Sequence, residues 1–394
     1  MHNKIIGHIS GSTDPRFDSV RQAFASLWDD IEVGAALAVY WKGKPVVNLW
    51  GGHTDRERQQ AWQENTLVNV YSATKGLATF AFALLVEDGK LRYEDKVADH
   101  WPEFAANGKH EVTIAQLLSH QAGVCGVDET LCVEDLYDWQ KMTRLIAAQK
   151  PFWPPGEAAG YHAVTWGYLP GELIRRLTGQ TLGHFFQERV AKPLGLNFYI
   201  GVPAAKLADC ATLIGPNHAR AKTEASHSTS RSPRTAASEP SQYFKVSLMN
   251  PPISPFKHAC SKEWRTAELA ASNGHGDAAS IAKVYALMAA GGALNGTQLI
   301  SKESLDAACK LEVDSAVDLV TGTVIRRSRG FILSHDANYG PGNNAFGHAG
   351  AGGSMAFADP EAELSFAYVM NQMQPDTILE SRSGRLIDAV YRCL

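Results

Sequence analysis

The chain has 394 residues, 45% of them apolar and 20% charged, a balance that excludes a disordered polymer and leaves material for a sizeable core. With 41 acidic against 37 basic side chains the formal charge is −4, so the basic footprint of a nucleic-acid binder is absent and no such partner is expected. The longest nearly apolar run, Gly76 to Val86, is 11 residues against the roughly 20 that a bilayer requires, so no membrane span is expected.

The opening residues, Met1 to His8, lack the apolar core and small-residue cleavage site of a signal peptide, which makes the cytoplasm the expected address. Asp14-Pro15 starts a helix whose Phe17, Val20, Phe24, Leu27 and Trp28 share one face at the 3.6-residue period. Gly34 to Trp41 and Pro45 to Trp50 are β-prone runs joined by Lys42-Gly43-Lys44, an antiparallel hairpin. Ala73 to Glu87 is apolar nearly all round, the pattern of a helix inside a protein, and Asp88-Gly89 ends it.

From about residue 90 to 270 the pattern is helical or irregular, with a capping box at Thr113 and Gln116 and a helix from Thr165 to Leu177 stopped by Gly179. Glu224 to Ser241 holds no large apolar side chain, so burial cannot offset the entropy of ordering it and a long mobile loop is expected. A helix from Asp277 to Ala290 follows. Strand-like segments then return at Phe331 to Ser334, Asn344 to His348, Ser354 to Ala358 and Leu364 to Met370, before a last helix over Thr377 to Arg392.

This order predicts an α/β (α+β) architecture: an antiparallel sheet flanked by helices and built from residues 1–95 and 271–394, with residues 96–270 inserted as a mainly helical domain. The six cysteines are scattered without a C-x-x-C pair, and the 14 histidines include no H-x-H or H-E-x-x-H, so neither a disulfide framework nor a metal site is expected. No P-loop and no dinucleotide fingerprint occurs, and no cofactor is expected. The oligomeric state is not legible.

Gly-x-Ser-x-Gly, the elbow of α/β-hydrolases, is absent; Gly352-Gly353-Ser354-Met355-Ala356 misses the last glycine. Ser72-Ala73-Thr74-Lys75 instead stands between the hairpin and the buried helix. Serine one turn before lysine puts hydroxyl and amine on one face, at a helix N-terminus where the dipole favours developing negative charge. The same S-x-x-K pattern recurs at Ser254 to Lys257 and Ser280 to Lys283, so only its setting singles out Ser72. Ser72 as a plain helix cap is the competing reading. Leu77, Ala78, Phe80 and Phe82 around Lys75 imply burial, where a lysine needs a role.

Ser72 to Lys75, then Leu117-Leu118-Ser119-His120-Gln121-Ala122-Gly123, then Pro155-Gly156-Glu157 leading to Tyr161, then His348-Ala349-Gly350, resemble the serine β-lactamase and penicillin-binding-protein superfamily. The resemblance is strongest to its class C-like family VIII carboxylesterases, and it runs in the right order from about residue 30 to 372. It implies a β-lactamase/transpeptidase-like fold and a serine hydrolase acting on small-molecule carboxylic esters. It also implies Ser72 as nucleophile, Lys75 and Tyr161 sharing general-base work, and the backbone N–H groups of Ser72 and Ala351 as oxyanion hole. His348, Ala349 and Gly350 would then line the opposite wall as the substrate-binding segment.

A nearby ammonium would lower the tyrosine and burial the lysine, so that the two exchange one proton near neutrality. Tyr161 as a core aromatic and His348 as an ordinary sheet histidine are the competing readings, and His120 reads as structural. Two departures from the β-lactamase pattern stand out: Tyr161-His162-Ala163 where Tyr-x-Asn is usual, and His348-Ala349-Gly350 where Lys-Thr-Gly is usual. Both remove substrate-holding groups and leave the nucleophile. The alternatives are a β-lactamase or D-amino acid peptidase, and, from another class, a catalytically silent binding protein on the same fold.

Overall fold

The computed structural model describes residues 9–29, 32–216, 239–374 and 382–394. Most of the loop expected at Glu224 to Ser241, residues 224–238, therefore lies outside the described residues, as do residues 377–381 of the expected last helix.

A nine-stranded antiparallel sheet forms the centre. Its strands are β1 (Ile9–Thr13), β2 (Gly34–Trp41), β3 (Lys44–Gly52), β4 (Val313–Val317), β5 (Val324–Arg327), β6 (Ile332–Leu333), β7 (Phe346–Ala349), β8 (Met355–Asp359) and β9 (Leu364–Met370). The order across the sheet is β1-β3-β2-β9-β8-β7-β6-β5-β4, so β2 pairs with β9 in an extended register from Leu364 opposite Trp41 to Met370 opposite Ala35. The two ends of the chain thus meet in the middle of the sheet.

Both faces of the central strands are buried, which is why β2 reads as a continuous apolar run. Ala35, Leu37 and Val39 point into one core with Phe357, Phe366 and Tyr368, beneath the terminal helices α1 (Asp18–Ser26) and α5 (Arg382–Tyr391). Ala36 and Ala38, with Ala356, Ala358 and Ala367, point into the other core, which contains α2 (Thr74–Glu87) and α4 (Ala278–Ala289). The alanines on that side let α4 sit directly on the sheet, where Ser365 Oγ donates to the Ala282 carbonyl at 2.8 Å. On the other side each fully buried large side chain contributes about 1.5–3 kcal/mol.

α2 is buried on every side, with Thr74 through Leu85 all shielded. Gly76 makes room for α4: a Cβ there would lie 2.0 Å from Tyr285 Oη. The described residues between the sheet-forming ends are mainly helical, and α3 (Tyr168–Thr178) ends at Gly179 in the left-handed conformation, as the sequence predicts. A small sheet of Val68–Asn69, Gly274–Gly276 and Phe198–Ile200, the middle segment in the centre, ties the entrance of α2 to residues 271–276. β1, β4 and β5 were not among the predicted strands. All three lie at or next to a sheet edge, where one face is wet and the apolar signal is diluted. No described helix is long and apolar enough to cross a membrane.

Candidate active site

Ser72 sits in a short 3₁₀ turn, Tyr71–Ala73, that feeds α2. Tyr71 is held at φ +47°, a left-handed conformation that costs a non-glycine residue about 1–3 kcal/mol. Two bonds hold it there: its N–H donates to Asn69 Oδ1 at 3.2 Å and its hydroxyl donates to the Pro255 carbonyl. The bend leaves Ser72 half-buried at the head of the helix. No side-chain capping bond is made at the start of α2, so Ser72 is not a plain helix cap.

Lys75, one turn on, is fully buried. Its Nζ donates to the carbonyls of Ala163 at 3.0 Å and Ala271 at 2.9 Å, lies 3.0 Å from Tyr161 Oη and 3.4 Å from Ser72 Oγ. Tyr161 Oη is 2.6 Å from Ser72 Oγ. The three groups proposed from sequence are thus brought together, in the spatial order serine, tyrosine, lysine. Burial pushes Lys75 well below the ordinary lysine range, and the Arg327 guanidinium adds to the fall. Burial pushes the Tyr161 phenol up to about 12, more than its bond to Ser72 and the nearby Arg327 pull it down. The expected lowering of the tyrosine is therefore reversed, because desolvating the phenolate costs more than neighbouring charge returns.

The other motifs position Tyr161. His120 has φ +68°, and its Nδ1 accepts from the His162 backbone N–H at 2.9 Å while its carbonyl accepts from Gly160 N–H at 3.1 Å. His162, where a β-lactamase has the middle residue of Tyr-x-Asn, contacts the Gly160 carbonyl through Nδ1 at 2.6 Å and accepts from the Val124 N–H at 3.2 Å through Nε2. Burial drives His120 well below the usual histidine range and His162 to about 4, so both imidazoles are neutral. Gly156 N–H donates to the Gln121 carbonyl at 3.0 Å, joining the Pro-Gly-Glu segment to the same turn. On the far side the Asp318 carboxylate accepts from the Tyr161 N–H at 3.1 Å.

His348 is 2% exposed and packs beside Tyr161, ring centroids 6.4 Å apart, rather than facing solvent. Its Nδ1 contacts the Ala349 carbonyl at 2.7 Å, its Nε2 is buried without a hydrogen-bond partner among the described residues, and burial pushes it well below the usual histidine range. Ala349 and Gly350 are half-buried and Ala351 is exposed. This turn abuts the serine-bearing segment: Ser354 Oγ donates to the Val70 carbonyl at 3.0 Å, and a Cβ on Gly350 would lie 2.0 Å from the same oxygen. The backbone of Ala351 is thereby carried on a turn anchored at Val70, two residues before Ser72.

The rival S-x-x-K pairs have other duties. Ser280 Oγ accepts from Asn197 N–H at 2.8 Å and Lys283 Nζ donates to the Leu194 carbonyl at 2.6 Å, while Ser254 lies in an irregular stretch with its N–H on His258 Nδ1.

The beta-lactamase family profile matches residues 20–390. The chain belongs to the beta-lactamase family. It is 32% identical over 382 residues to "Esterase/beta-lactamase LipL" of Mycobacterium tuberculosis, a match covering 95% of this chain and 86% of that protein. Among solved structures it is similar to a family VIII carboxylesterase, at 43% identity and TM-score 0.90 over 98% of this chain and 100% of the other. A penicillin-binding protein homologue from Caulobacter crescentus is similar at 37% identity and TM-score 0.88, with the same coverage. The expected fold, an antiparallel sheet with flanking helices of the β-lactamase/transpeptidase type, is the fold observed.

Sequence reasoning missed Asp318 and Arg327. They fall in a stretch with no predicted element, and an aspartate nine residues before an arginine carries no signal of its own.

Proposed function

We propose that this enzyme hydrolyses carboxylic esters through an acyl-enzyme on Ser72, with Tyr161 relaying the serine proton to Lys75. The observation that carries the reading is the unbroken chain of short contacts from Ser72 Oγ to Tyr161 Oη, 2.6 Å, and on to a buried amine, 3.0 Å. A neutral lysine has two N–H donors and one lone pair. The carbonyls of Ala163 and Ala271 take the two donors, and the lone pair is left for the tyrosine hydroxyl.

In this reading Ser72 Oγ attacks the ester carbonyl carbon as its proton passes to Tyr161 and the tyrosine proton passes to Lys75. The carbonyl oxygen becomes an oxyanion facing the N–H groups of Ser72 and Ala351, and each such donor is worth about 3–4 kcal/mol. The tetrahedral intermediate collapses, and the protonated lysine returns its proton through Tyr161 to the departing alkoxide. Water then attacks the acyl carbon and gives a proton to the same relay, which returns it to Ser72 Oγ as the bond between that oxygen and the acyl carbon breaks and the acid leaves.

An uncharged small-molecule ester suits the site better than an anionic β-lactam or peptide. His348 is neutral and buried where a lysine would hold a carboxylate, and Ala163 offers no side-chain donor to an amide carbonyl. Each missing partner costs a polar substrate about 1–3 kcal/mol. With nitrophenyl butyrate and a chromogenic cephalosporin compared at pH 7.5, kcat/KM is expected to favour the ester by about 100-fold or more, roughly 2.7 kcal/mol. Equal efficiency on the two would move β-lactam hydrolysis to first place. A cytoplasmic address and the lack of a nucleic-acid partner belong to the same reading.

A further inference from the structure

We propose that Arg327, clamped by Asp318, is a positioning residue that places a fixed positive charge behind the Ser72, Tyr161 and Lys75 chain and so keeps Lys75 free to accept a proton. The inference rests on the reading of Lys75 as the terminal base.

Arg327 ends β5, two strands away from the His348-bearing β7. Its Nη2 donates to Asp318 Oδ2 at 3.0 Å, and the two side chains are 3% and 0% exposed. Asp318 Oδ1 meanwhile accepts three backbone N–H groups, from Tyr161 at 3.1 Å, Val320 at 3.0 Å and Thr321 at 2.9 Å. One carboxylate therefore fixes both the backbone of the tyrosine and the guanidinium beside it. That guanidinium lies 5.4 Å from the centroid of the Tyr161 ring, and Lys75 Nζ lies 4.8 Å from the same centroid.

Two cations against one buried phenol ring repel strongly in a low dielectric, and a guanidinium cannot shed its charge. The amine is the partner that must give way. The ionisable groups that face the two cations or Asp318 from the surrounding elements are Tyr161, His120, His162, His348, Asp318, Tyr339 and Cys125, and burial keeps the Tyr339 phenol and the Cys125 thiol protonated. Burial is the leading cause that keeps the three imidazoles uncharged, with Arg327 adding to the effect on each. Asp318, the carboxylate of the set, is committed to Arg327 and to backbone N–H groups, and the fall of Lys75 has burial as its first cause and Arg327 as its second. With histidine at 348, Arg327 is the fixed cation of this neighbourhood among the described residues.

The test is the acid limb of the kcat/KM profile, which reports the base of the free enzyme. In Arg327→Gln the limb should move up by about one pH unit, a roughly tenfold loss of rate on the limb with a smaller loss on the plateau. In Asp318→Asn, whose amide oxygen still accepts the backbone bonds, the unpaired guanidinium should move the limb down. Arg327→Lys should stay close to wild type, because the Asp318 carboxylate beside it would hold the new ammonium in its charged form. Limbs unmoved in folded Arg327→Gln and Asp318→Asn, with changes confined to Tm or plateau rate, would overturn the inference. If Arg327→Gln fails to fold, the downward shift in Asp318→Asn and the retained limb in Arg327→Lys decide it alone. Lys75→Ala separates the two levels: inactive Lys75→Ala with unmoved limbs sinks only the role of Arg327, whereas an active Lys75→Ala sinks the reading beneath it.

Discussion

Burial sets the division of labour between Lys75 and Tyr161. A phenol pushed up to about 12 is not a resting phenolate at neutral pH, while a desolvated amine is a competent base. In the proposed mechanism Tyr161 is therefore the relay and Lys75 the acceptor. Lys75→Ala should lower kcat by about 100-fold or more, the usual scale of general-base loss, with Tm showing the variant folded. Tyr161→Phe should be less damaging, because Nζ is already 3.4 Å from Ser72 Oγ and can take the proton directly. A Tyr161→Phe enzyme slower than Lys75→Ala would reverse the assignment. The closeness of Ser72 to Lys75 and the burial of the lysine were legible from sequence, because spacing carries the shared face and apolar neighbours carry the burial. The direction of the tyrosine shift was not, since a linear pattern shows a nearby charge more readily than the depth of a ring.

At the scale of elements, the site depends on a turn meeting a strand end. The Gly350 to Ser354 turn touches the Val70 carbonyl, the last support before the strained Tyr71, through one hydrogen bond and one close backbone approach. Gly350→Ala should force that contact apart, because the obstructing atom is backbone and has no rotamer to change. The expected result is a loss of about 1–3 kcal/mol of stability, read as a lowered denaturation midpoint, together with reduced kcat. Unchanged kcat in Gly350→Ala would mean that the turn does not position the reacting backbone. The glycine-rich turn, the hairpin of β2 and β3 and the buried α2 were all legible, each having a strong local pattern. β4 and β5 were not, since Val317 and Val324 are largely exposed and their strands keep few apolar residues. Asp318 and Arg327 were hidden with them.

In the whole molecule, chain order and spatial order differ, and the candidate active site lies where they are reconciled. Pairing of β2 with β9 joins the two halves of the sheet, α2 and α4 fill one face, and residues 120–163 and 271–276 supply the carbonyls and the phenol around Lys75. The sequence order of motifs foretold which segments converge. It could not show that the motif around His120 is a bracket for Tyr161, because that role rests on a backbone-to-ring bond between residues 42 apart. The central claim is that the acyl group passes through Ser72. Wild-type enzyme mixed with nitrophenyl butyrate, quenched within the first turnover and digested, should carry the butyryl mass on the peptide containing Ser72, and Ser72→Ala should carry none and show no burst of nitrophenol. A butyryl group on the peptide of Ser254, Ser280 or Ser354, or an undiminished burst from Ser72→Ala, would contradict the account.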